Sequence, residues 1–399
     1  MAIFLTLILI IYCLLITGFI IGFGSVKKSD FSKEIPLDGV TTFTLVIPFR
    51  DEEKHLPALL YSLENIDYPK DAFEVILVND GSTDASLEII KEWMVQFPEI
   101  SVSCVANKRQ SHAPKKDAIL TALALSTHGW IMTTDADCTF NPNRLRVFNR
   151  QILQTKSLCV AGPVTTFVNT NQWLHGFEAL DFASLQGATR GSFGIGKPFM
   201  ANGANLAYHK NTFVALGGFK GNDHIASGDD LFILEKFIKE HKKATTYLSH
   251  PLAIVQTFPV ESWERLFEQR KRWAAKSTSY TQPFAKAVGL IVFFGNLAFI
   301  LGFVWVMVML ALKGNTVVGA SENESAHAFA EAYVQVGILI LSKIVVDGIL
   351  IWRSLKSSNQ SKIFIWYLPS IFFYPVWSTV VAVAAFTTSY TWKGRSFKR

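Results

Sequence analysis

The chain has 399 residues, half of which are hydrophobic, and its formal net charge is +6. A chain of this length has room for one large domain or two small ones. The four cysteines show no CxxC or Cys/His spacing, which excludes a disulfide framework and a zinc site and indicates free thiols in a reducing compartment. We expect membrane lipids, and no nucleic acid, among the partners.

Four apolar stretches are long enough to cross a bilayer. Three of them contain no charged residue and exceed the roughly 20 residues that a helix needs to span the bilayer core: 1–26, 287–312 and 363–392. The fourth, 332–352, is apolar except for Lys343 and Asp347, which lie one helical turn apart. We expect this pair either to neutralise itself inside a helix bundle or to line a path for sugar.

The first stretch is predicted to be a membrane anchor, because it lacks the basic start and the cleavage site of a signal peptide. We therefore expect three parts in the chain. An N-terminal transmembrane anchor (1–26) precedes a domain of soluble composition (37–276). A C-terminal membrane region (284–392) follows, with about three transmembrane helices.

Basic residues flank the middle domain at both junctions with the membrane: Lys27, Lys28, Lys33, Arg270, Lys271, Arg272 and Lys276. The positive-inside rule then places this domain in the cytoplasm and the acidic loop 313–331 outside. Four crossings would leave the C-terminus outside, yet its charges resemble a cytoplasmic tail: Lys393, Arg395, Lys398 and Arg399. The last stretch, interrupted by Pro369 and Pro375, is the candidate for a re-entrant or interfacial segment, and the number of crossings stays open.

Strands and helices alternate through the first half of the middle domain. Short runs rich in β-branched and aromatic residues predict four strands: 43–48, 73–79, 101–106 and 130–134. Helical spacing of apolar residues predicts helices between them: 56–63, 84–97 and 115–125. This alternation predicts a parallel, doubly wound α/β sheet, in which ligands bind beyond the carboxyl ends of the strands.

Acidic residues collect at that end of the predicted sheet. Asp80 follows the second strand, and Asp135 and Asp137 follow the fourth. Clustered anions repel each other unless a cation lies between them, and Mg²⁺ or Mn²⁺ binds carboxylate together with phosphate oxygens. The D-x-D pattern is weak alone, but its position predicts a divalent-cation site at Asp135 and Asp137. Asp84 is equally well explained as a helix cap.

Two later motifs each allow two interpretations. Asp229 and Asp230 precede a run with helical spacing, so they form either the acidic first turn of a helix or a general base with a supporting carboxylate. The sequence QRKRW at 269–273 is either a basic anchor with an interfacial tryptophan or a phosphate-binding site. In the second case Arg272 would neutralise a departing diphosphate and Trp273 would face a sugar ring.

Six motifs occur in the chain in one order: VIPFRDEE at 46–53, VNDGSTD at 78–84, DAD at 135–137, GANLAY at 203–208, GDD at 228–230 and QRKRW at 269–273. Together they resemble the family 2 glycosyltransferases of GT-A fold, specifically the membrane branch that includes cellulose, chitin, hyaluronan and poly-N-acetylglucosamine synthases. The resemblance covers residues 43 to about 276, and the flanking apolar stretches also fit it. It implies a GT-A domain with transmembrane helices and a hexosyltransferase that inverts the anomeric centre.

The resemblance implies donor binding by a set of residues spread over the domain: Pro48, Glu52, Asp80, Lys115, Asp135 and Arg272. Asp80 would contact the nucleotide base, with Pro48 and Glu52 in the adjoining pocket wall. Lys115 matches a lysine that touches the phosphates, although Pro114 stands where a glycine often precedes it.

The same resemblance implies the remaining roles. Asp135 and Asp137 match the pair that holds Mg²⁺ or Mn²⁺ with the diphosphate. Asp230 matches the catalytic base, and Asp229 stands beside it where a glutamate is more usual. Two further residues of the QRKRW motif match positions that support the acceptor: Gln269 and Trp273.

These features predict a membrane glycosyltransferase that moves a sugar from a nucleotide-sugar donor, UDP- or GDP-linked, to a polysaccharide or lipid-linked acceptor. The QRKRW motif favours a processive synthase, although relatives that glycosylate lipids carry it too. The alternative is an inactive subunit that only binds nucleotide sugar, which would be expected to have lost Asp80, Asp137 or Asp230. We expect the protein in a bacterial inner or plasma membrane, with its catalytic domain in the cytoplasm.

Overall fold

The computed structural model of the protein describes residues 2–27, 39–168, 171–223, 225, 227–315, 324–393 and 395–397. Some of the charges that predict the orientation lie outside the described residues: Lys28, Lys33, Lys398, Arg399 and part of the loop 313–331.

The helices and strands are numbered in chain order. The α-helices are α1 (Ala2–Ser25), α2 (Leu56–Glu64), α3 (Ser86–Gln96), α4 (Pro114–Leu125), α5 (Arg144–Thr155), α6 (Trp173–Gly194), α7 (Lys210–Ala215), α8 (Asp229–His241), α9 (Trp263–Ala275), α10 (Pro283–Asn315), α11 (Glu324–Ser357) and α12 (Tyr367–Thr387). The strands are β1 (Phe43–Phe49), β2 (Phe73–Asn79), β3 (Val102–Ala106), β4 (Trp130–Thr133), β5 (Cys138–Phe140), β6 (Cys159–Ala161), β7 (Val164–Thr166), β8 (Leu206–His209), β9 (Thr245–Tyr247), β10 (Val255–Thr257), β11 (Tyr390–Trp392) and β12 (Arg395–Phe397).

The main sheet of the described residues has seven strands in the order β3-β2-β1-β4-β8-β6-β9. Strands β1 to β4 are the four predicted ones, and they run parallel. Strand β8 is antiparallel to both β4 and β6, so the complete sheet is mixed rather than purely parallel. Helix α6 precedes β8, and the chain enters β8 in the direction opposite to β4. The sequence prediction covers only strands β1 to β4 and therefore does not include this reversal.

Strand β1 lies inside the sheet, between β2 and β4, and is covered on both faces. Phe43, Leu45 and Ile47 contact the cluster that contains α2, α3 and α5, while Val46 contacts the cluster of α4, α7 and α8. A strand buried on both faces is a continuous apolar run, which explains why it was predictable. The predicted end at Pro48 is one residue short.

The proline is tolerated in β1 because of where β4 stops. The pairing of β1 with β4 ends at Val46, whereas the pairing with β2 continues to Phe49. The Val46 carbonyl accepts a hydrogen bond from the Thr134 amide, so Val46 faces β4. Pro48 faces the same side, and the amide hydrogen that a proline lacks would point into the space beyond the end of β4. The strand therefore continues through Pro48 without losing a ladder hydrogen bond.

Four helical segments of the described residues are long and apolar enough to cross a membrane: Ala2–Ser25, Pro283–Ala311, Glu331–Ser357 and Ser361–Thr387. One is N-terminal and three are C-terminal, as predicted. Helix α1 crosses α6 with the two backbones in contact, since a Cβ on Gly22 would lie 2.1 Å from the carbonyl oxygen of Gly191. A Cβ on Gly194 would lie 1.8 Å from the carbonyl oxygen of Gly22, so this crossing requires glycine.

The last apolar segment has both of its flanks against the α/β domain. Before α12, the side-chain amide of Gln360 donates to the Thr166 carbonyl in β7 at 2.7 Å. After α12, strands β11 and β12 form a hairpin that brings Lys393 to Glu52 and Arg395 to Asp80. The predicted segment 363–392 therefore ends as a hairpin strand, and contacts with the α/β domain lie on both sides of α12.

Candidate active site

The loops after β1 and β2 are fastened to each other by hydrogen bonds. The Asp84 carboxylate accepts from the amides of Glu53 and Ser86, both at 3.0 Å, and Ser86 begins α3. The N-cap of α3 is Ala85 and not Asp84 as predicted, but the Asp84 carboxylate pairs with the first amide of the helix. The Glu52 amide donates to the Ser86 hydroxyl at 2.8 Å, and the Asp51 carboxylate accepts from the Thr83 amide at 2.8 Å. These bonds give the rim of the sheet a fixed shape.

Asp80 lies at this rim, directly after β2, and is 8% exposed. One of its carboxylate oxygens accepts from the side-chain amide of Asn107 at 2.7 Å, and the other accepts from Arg395. Glu52 accepts from Lys393 at 2.7 Å. Pro48 lies beside Val78 in the register of β1 and β2. The structure therefore groups the three residues predicted to surround the nucleotide base, and it adds two cations from the C-terminal hairpin.

Lys115 lies at the centre of a cluster of carboxylates. Its amino group is 2.6 Å from Asp135 and 3.4 Å from Asp229. Burial alone would lower the pKa of Lys115, but the charges of these two carboxylates outweigh it and raise the pKa above its usual value. Pro114 is the first residue of α4, where a proline fits because the first amide of a helix has no partner in the helix. The substitution of the usual glycine therefore leaves Lys115 at the site.

Asp229 and Asp230 form the acidic first turn of α8, as the first interpretation predicts, and they also line the site cavity. The general-base role of the pair stays a prediction. Asp230 accepts from the amides of Gly203 at 3.2 Å and Leu231 at 2.7 Å, and it lies 3.7 Å from the Lys276 amino group. Burial would raise the pKa of Asp229, but the charges of lysines around it lower the pKa, so this carboxylate is ionised.

Gly203 lies where these groups meet. A Cβ on Gly203 would be 3.0 Å from both the Asp229 carboxylate and the Lys115 amino group. Any side chain at this position would crowd the ion pair, which gives the glycine of the GANLAY motif a physical reason.

The arrangement of Asp135 and Asp137 fits a divalent cation. Asp137 accepts from the Thr257 hydroxyl at 3.1 Å, and burial together with the charge of Asp135 raises the pKa of Asp137 to about 6. No cluster of three or more His, Cys, Asp or Glu side chains in the described ranges could hold a metal by itself. Two carboxylates completed by phosphate oxygens and water are a usual ligand set for Mg²⁺, so the residues present suit a metal that arrives with a diphosphate.

Helix α9 supplies the opposite wall. Gln269, Arg272 and Trp273 have i, i+3, i+4 spacing and therefore share one face of the helix. All three line one cavity of about 440 Å³, together with other residues of the predicted site: Lys115, Asp135, Asp137, Asp229 and Asp230. Residues from α4, the segment after β4, α8 and α9, far apart in the sequence, thus enclose one space large enough for a small ligand.

Two models of known families match the chain. The Glycosyl transferase family 2 model matches residues 44–213, and the Glycosyl transferase family group 2 model matches residues 130–387, more than half of the chain. The chain belongs to the family 2 glycosyltransferases.

Individual relatives are distant. This glycosyltransferase is 26% identical over 282 residues to the probable glycosyltransferase YdaM of Bacillus subtilis (strain 168), covering 68% of this chain and 64% of that protein. It is 24% identical over 282 residues to the 4,4'-diaponeurosporenoate glycosyltransferase of Staphylococcus aureus (strain bovine RF122 / ET3-1), covering 65% of this chain and 68% of that one. The matched part thus amounts to about two thirds of the length of these curated relatives.

One solved structure shows the fold. The mannosyltransferase PcManGT from Pyrobaculum calidifontis, in complex with GDP-Man and Mn²⁺, superposes with a TM-score of 0.50 at 16% identity. The match covers 89% of this chain and 99% of the other. The α/β part of this glycosyltransferase therefore has the GT-A fold.

Several site residues of this glycosyltransferase were not predicted from its sequence. Arg270 forms a buried ion pair with Asp181 of α6 and lies over the Trp273 ring at 4.3 Å. In the sequence Arg270 is one of several basic residues in QRKRW, so nothing distinguishes it. Lys393 and Arg395 were interpreted only as signals of orientation, and their contacts with Glu52 and Asp80 join positions more than 300 residues apart.

Proposed function

We propose that this glycosyltransferase moves a hexosyl group from a UDP- or GDP-linked donor to a polysaccharide or lipid-linked acceptor by an inverting displacement. One observation carries the proposal: a single cavity contains the lysine, the carboxylates and the QRKRW residues, and it continues between the apolar helices α10 and α12. A polar donor and a membrane-associated acceptor could therefore meet in one space.

The donor would lie along the rim of the sheet. Asp80, with Pro48 and Glu52 beside it, would bind the nucleotide base, as the resemblance implies. The diphosphate would lie between Lys115 and Arg272, because cations on either side suit an anionic group. The sugar would then point into the cavity towards Trp273.

A divalent cation would be held by Asp135 and Asp137. When bound, Mg²⁺ or Mn²⁺ would supply positive charge to the leaving diphosphate. The described residues provide Lys115 next to Asp135 as a further positive charge at the same place.

The chemical step needs one base. The acceptor hydroxyl oxygen forms a bond to the anomeric carbon while the bond from that carbon to the diphosphate oxygen breaks. The acceptor proton passes to Asp230, and the electron pair of the broken bond leaves with the nucleoside diphosphate. Asp230 is held for this role by the amides of Gly203 and Leu231, and Asp229 keeps Lys115 in place.

The proposal extends to the whole chain. We assign residues 37–276 to a cytoplasmic catalytic domain, 1–26 to an N-terminal anchor and 284–392 to a C-terminal membrane region, in a bacterial inner or plasma membrane. The four apolar helices support a membrane location, and the basic residues at the two junctions support the orientation.

The test uses the full chain in lipid nanodiscs with Mn²⁺ or Mg²⁺ and a panel of nucleotide sugars. Wild type is compared with Asp230→Asn and with Asp71→Asn, which makes the same chemical change at an exposed position. We expect one donor to release nucleoside diphosphate with wild type and Asp71→Asn. Asp230→Asn should be slower by about 10²–10⁴-fold, the usual contribution of a general base. Donor binding should persist in both variants.

Three results would contradict the proposal. Equal turnover by wild type and Asp230→Asn would remove Asp230 from the mechanism. Donor binding without turnover, in the presence of native membrane lipid, would instead support the inactive binding subunit. Activity that survives chelation of divalent cations would contradict the role of Asp135 and Asp137.

A further inference from the structure

The site cavity reaches deep into the apolar helices. Its wall includes Gly289, Val292 and Asn296 of α10 and Tyr374 of α12. Asn296 lies 13 residues after the start of α10, which corresponds to about 20 Å along the helix. The space that contains Asp230 thus continues well beyond the surface of the α/β domain.

A second cavity of about 260 Å³ adjoins the first. The two share several lining residues: Asp181, Leu185, Met200, Tyr280, Gly289 and Tyr374. The second cavity lies between α1, α6, α10, α11 and α12, and its wall is mainly aliphatic and aromatic, as Ile16, Val288, Ile344 and Ile371 illustrate. Each hydroxyl of a polysaccharide would lose its hydrogen bonds to water here, whereas a hydrocarbon chain would lose none.

The polar groups in the wall of this inner cavity are largely paired with each other. The Lys343 amino group is 2.7 Å from Asp347, and the Tyr12 hydroxyl donates to the same carboxylate at 2.8 Å. Lys343 also lies over the Tyr12 ring at 4.4 Å. This confirms that Lys343 and Asp347 neutralise each other inside the bundle. Two further wall hydroxyls, of Tyr367 and Ser370, donate to backbone carbonyls of the helices and are likewise engaged.

Asn296 differs from these groups. It is 1% exposed, and neither its side-chain oxygen nor its side-chain nitrogen has a hydrogen-bond partner among the described residues. Leaving a buried amide unpaired costs about 1–3 kcal/mol, so such a group in a cavity wall indicates a ligand that pairs with it. An amide both donates and accepts, which matches a hydroxyl group and does not select for a charged one.

We propose that the acceptor is a lipid alcohol: its hydrocarbon chain occupies the inner cavity, and Asn296 binds a hydroxyl of its head group below Asp230. The inference rests on the proposed function, and it selects the lipid acceptor over the polysaccharide. The cavity then serves as a binding site for one amphiphile and does not conduct a growing polymer.

The first test detects binding directly. A hexadecanol probe with a diazirine in its chain and a terminal alkyne is photo-crosslinked to the full chain in nanodiscs, and the labelled peptides are identified by mass spectrometry. We expect labels on α1, α6, α10 and α11 at the inner cavity. Gly289→Phe should reduce them at least fivefold, because Gly289 lines both cavities and has nothing within 4 Å of its Cβ position. Gly337→Phe is the matched control, since its Cβ position is equally open and it lies in neither wall.

The second test measures transfer. Asn296→Leu should raise the KM for lipid alcohols about tenfold. The KM for the nucleotide-sugar donor should stay within about twofold of wild type, and the apparent melting temperature within a few degrees. Labelling that is equal in wild type and Gly289→Phe, or a filter-retained polymer as the product, would overturn the inference. Labelling at the inner cavity without turnover of any donor would uphold the lipid site and reject the transferase mechanism.

Discussion

The two sides of the site that we propose for the donor and for the acceptor are built in different ways. On the donor side, residues at the ends of β1, β2 and β4 are held by short loops and backbone amides, as Asp84 and Asp51 illustrate. On the acceptor side, α6, α9, α10 and α12 contribute single side chains that meet across long stretches of chain, such as Arg270 and Asp181. The donor side therefore depends on local hydrogen bonds, and the acceptor side depends on helix packing.

The largest loss of stability is expected from Arg270→Met, which removes a contact between α6 and α9 on the acceptor side. It leaves the Asp181 carboxylate, 6% exposed, without its cation, and breaking a buried ion pair in this way costs about 3–5 kcal/mol. The apparent melting temperature in nanodiscs should fall accordingly, and donor binding should weaken only through the loss of folded protein. The double variant Arg270→Met with Asp181→Leu should recover most of the loss. A single variant as stable as wild type would show that helix packing holds the acceptor side without this pair.

Glu178, also in α6, should make stability depend on pH. Burial raises the pKa of Glu178 to about 7, although the charge of Arg270 and a hydrogen bond from the Val260 amide lower it in part. The unfolded chain has a carboxyl pKa of about 4.3, so between these values the folded state binds more protons, and stability falls as pH rises towards 7.

The matching variant is Glu178→Gln, which keeps an acceptor for Val260 and carries no charge. It should be more stable than wild type by about 3–4 kcal/mol at pH 8 and nearly equal to it near pH 4.5. Thermal unfolding at several pH values measures the difference. A constant difference across this range would mean that Glu178 does not titrate as described.

On the donor side, Arg395→Ala tests the C-terminal hairpin. Asp80 and Glu52 add negative charge where an anionic donor is proposed to bind, and Arg395 offsets part of it. We expect the KM for the nucleotide sugar to rise about threefold to tenfold with a smaller change in kcat. Arg265→Ala, at an exposed arginine of α9, is the control and should leave the KM unchanged. A lower KM would show that the hairpin competes with the donor.

The smallest effect is expected from Asp84→Ala. The variant removes the acceptor for the amides of Glu53 and Ser86, and the net loss of such a hydrogen bond costs about 1 kcal/mol. Chemical denaturation should detect this change, and donor affinity should change by less than about twofold. A tenfold loss of affinity would show that the loop before α2 is less well supported than its other hydrogen bonds indicate.

The same contrast explains what could be predicted from the sequence. Strand β2 was predicted with its observed bounds because a strand buried on both faces is a continuous apolar run, and the residue after it, Asp80, then lies at the rim by necessity. Asn296 gave no such signal, since it is one polar residue inside an apolar stretch and only the fold shows that its amide is unpaired.

Sequence reasoning was also limited where the chain reverses or ends. The antiparallel strand β8 has four residues, too few to show a period, and its direction depends on the path of α6. Residues 390–392 are uncharged like the helix before them, but they form a strand because β12 provides a partner. In both cases the deciding interaction is distant in the sequence.

The crossing of α1 and α6 sets an order for assembly during synthesis. Helix α1 is synthesised before α6. Its Gly22 packs against Gly191 and Gly194, which follow more than 160 residues later. Helix α11, another neighbour of α1, is complete only at Ser357. Helix α1 therefore gains its contact with α11 only after residues 37–276 have been synthesised, so the α/β domain can fold before the packing of α1 is complete.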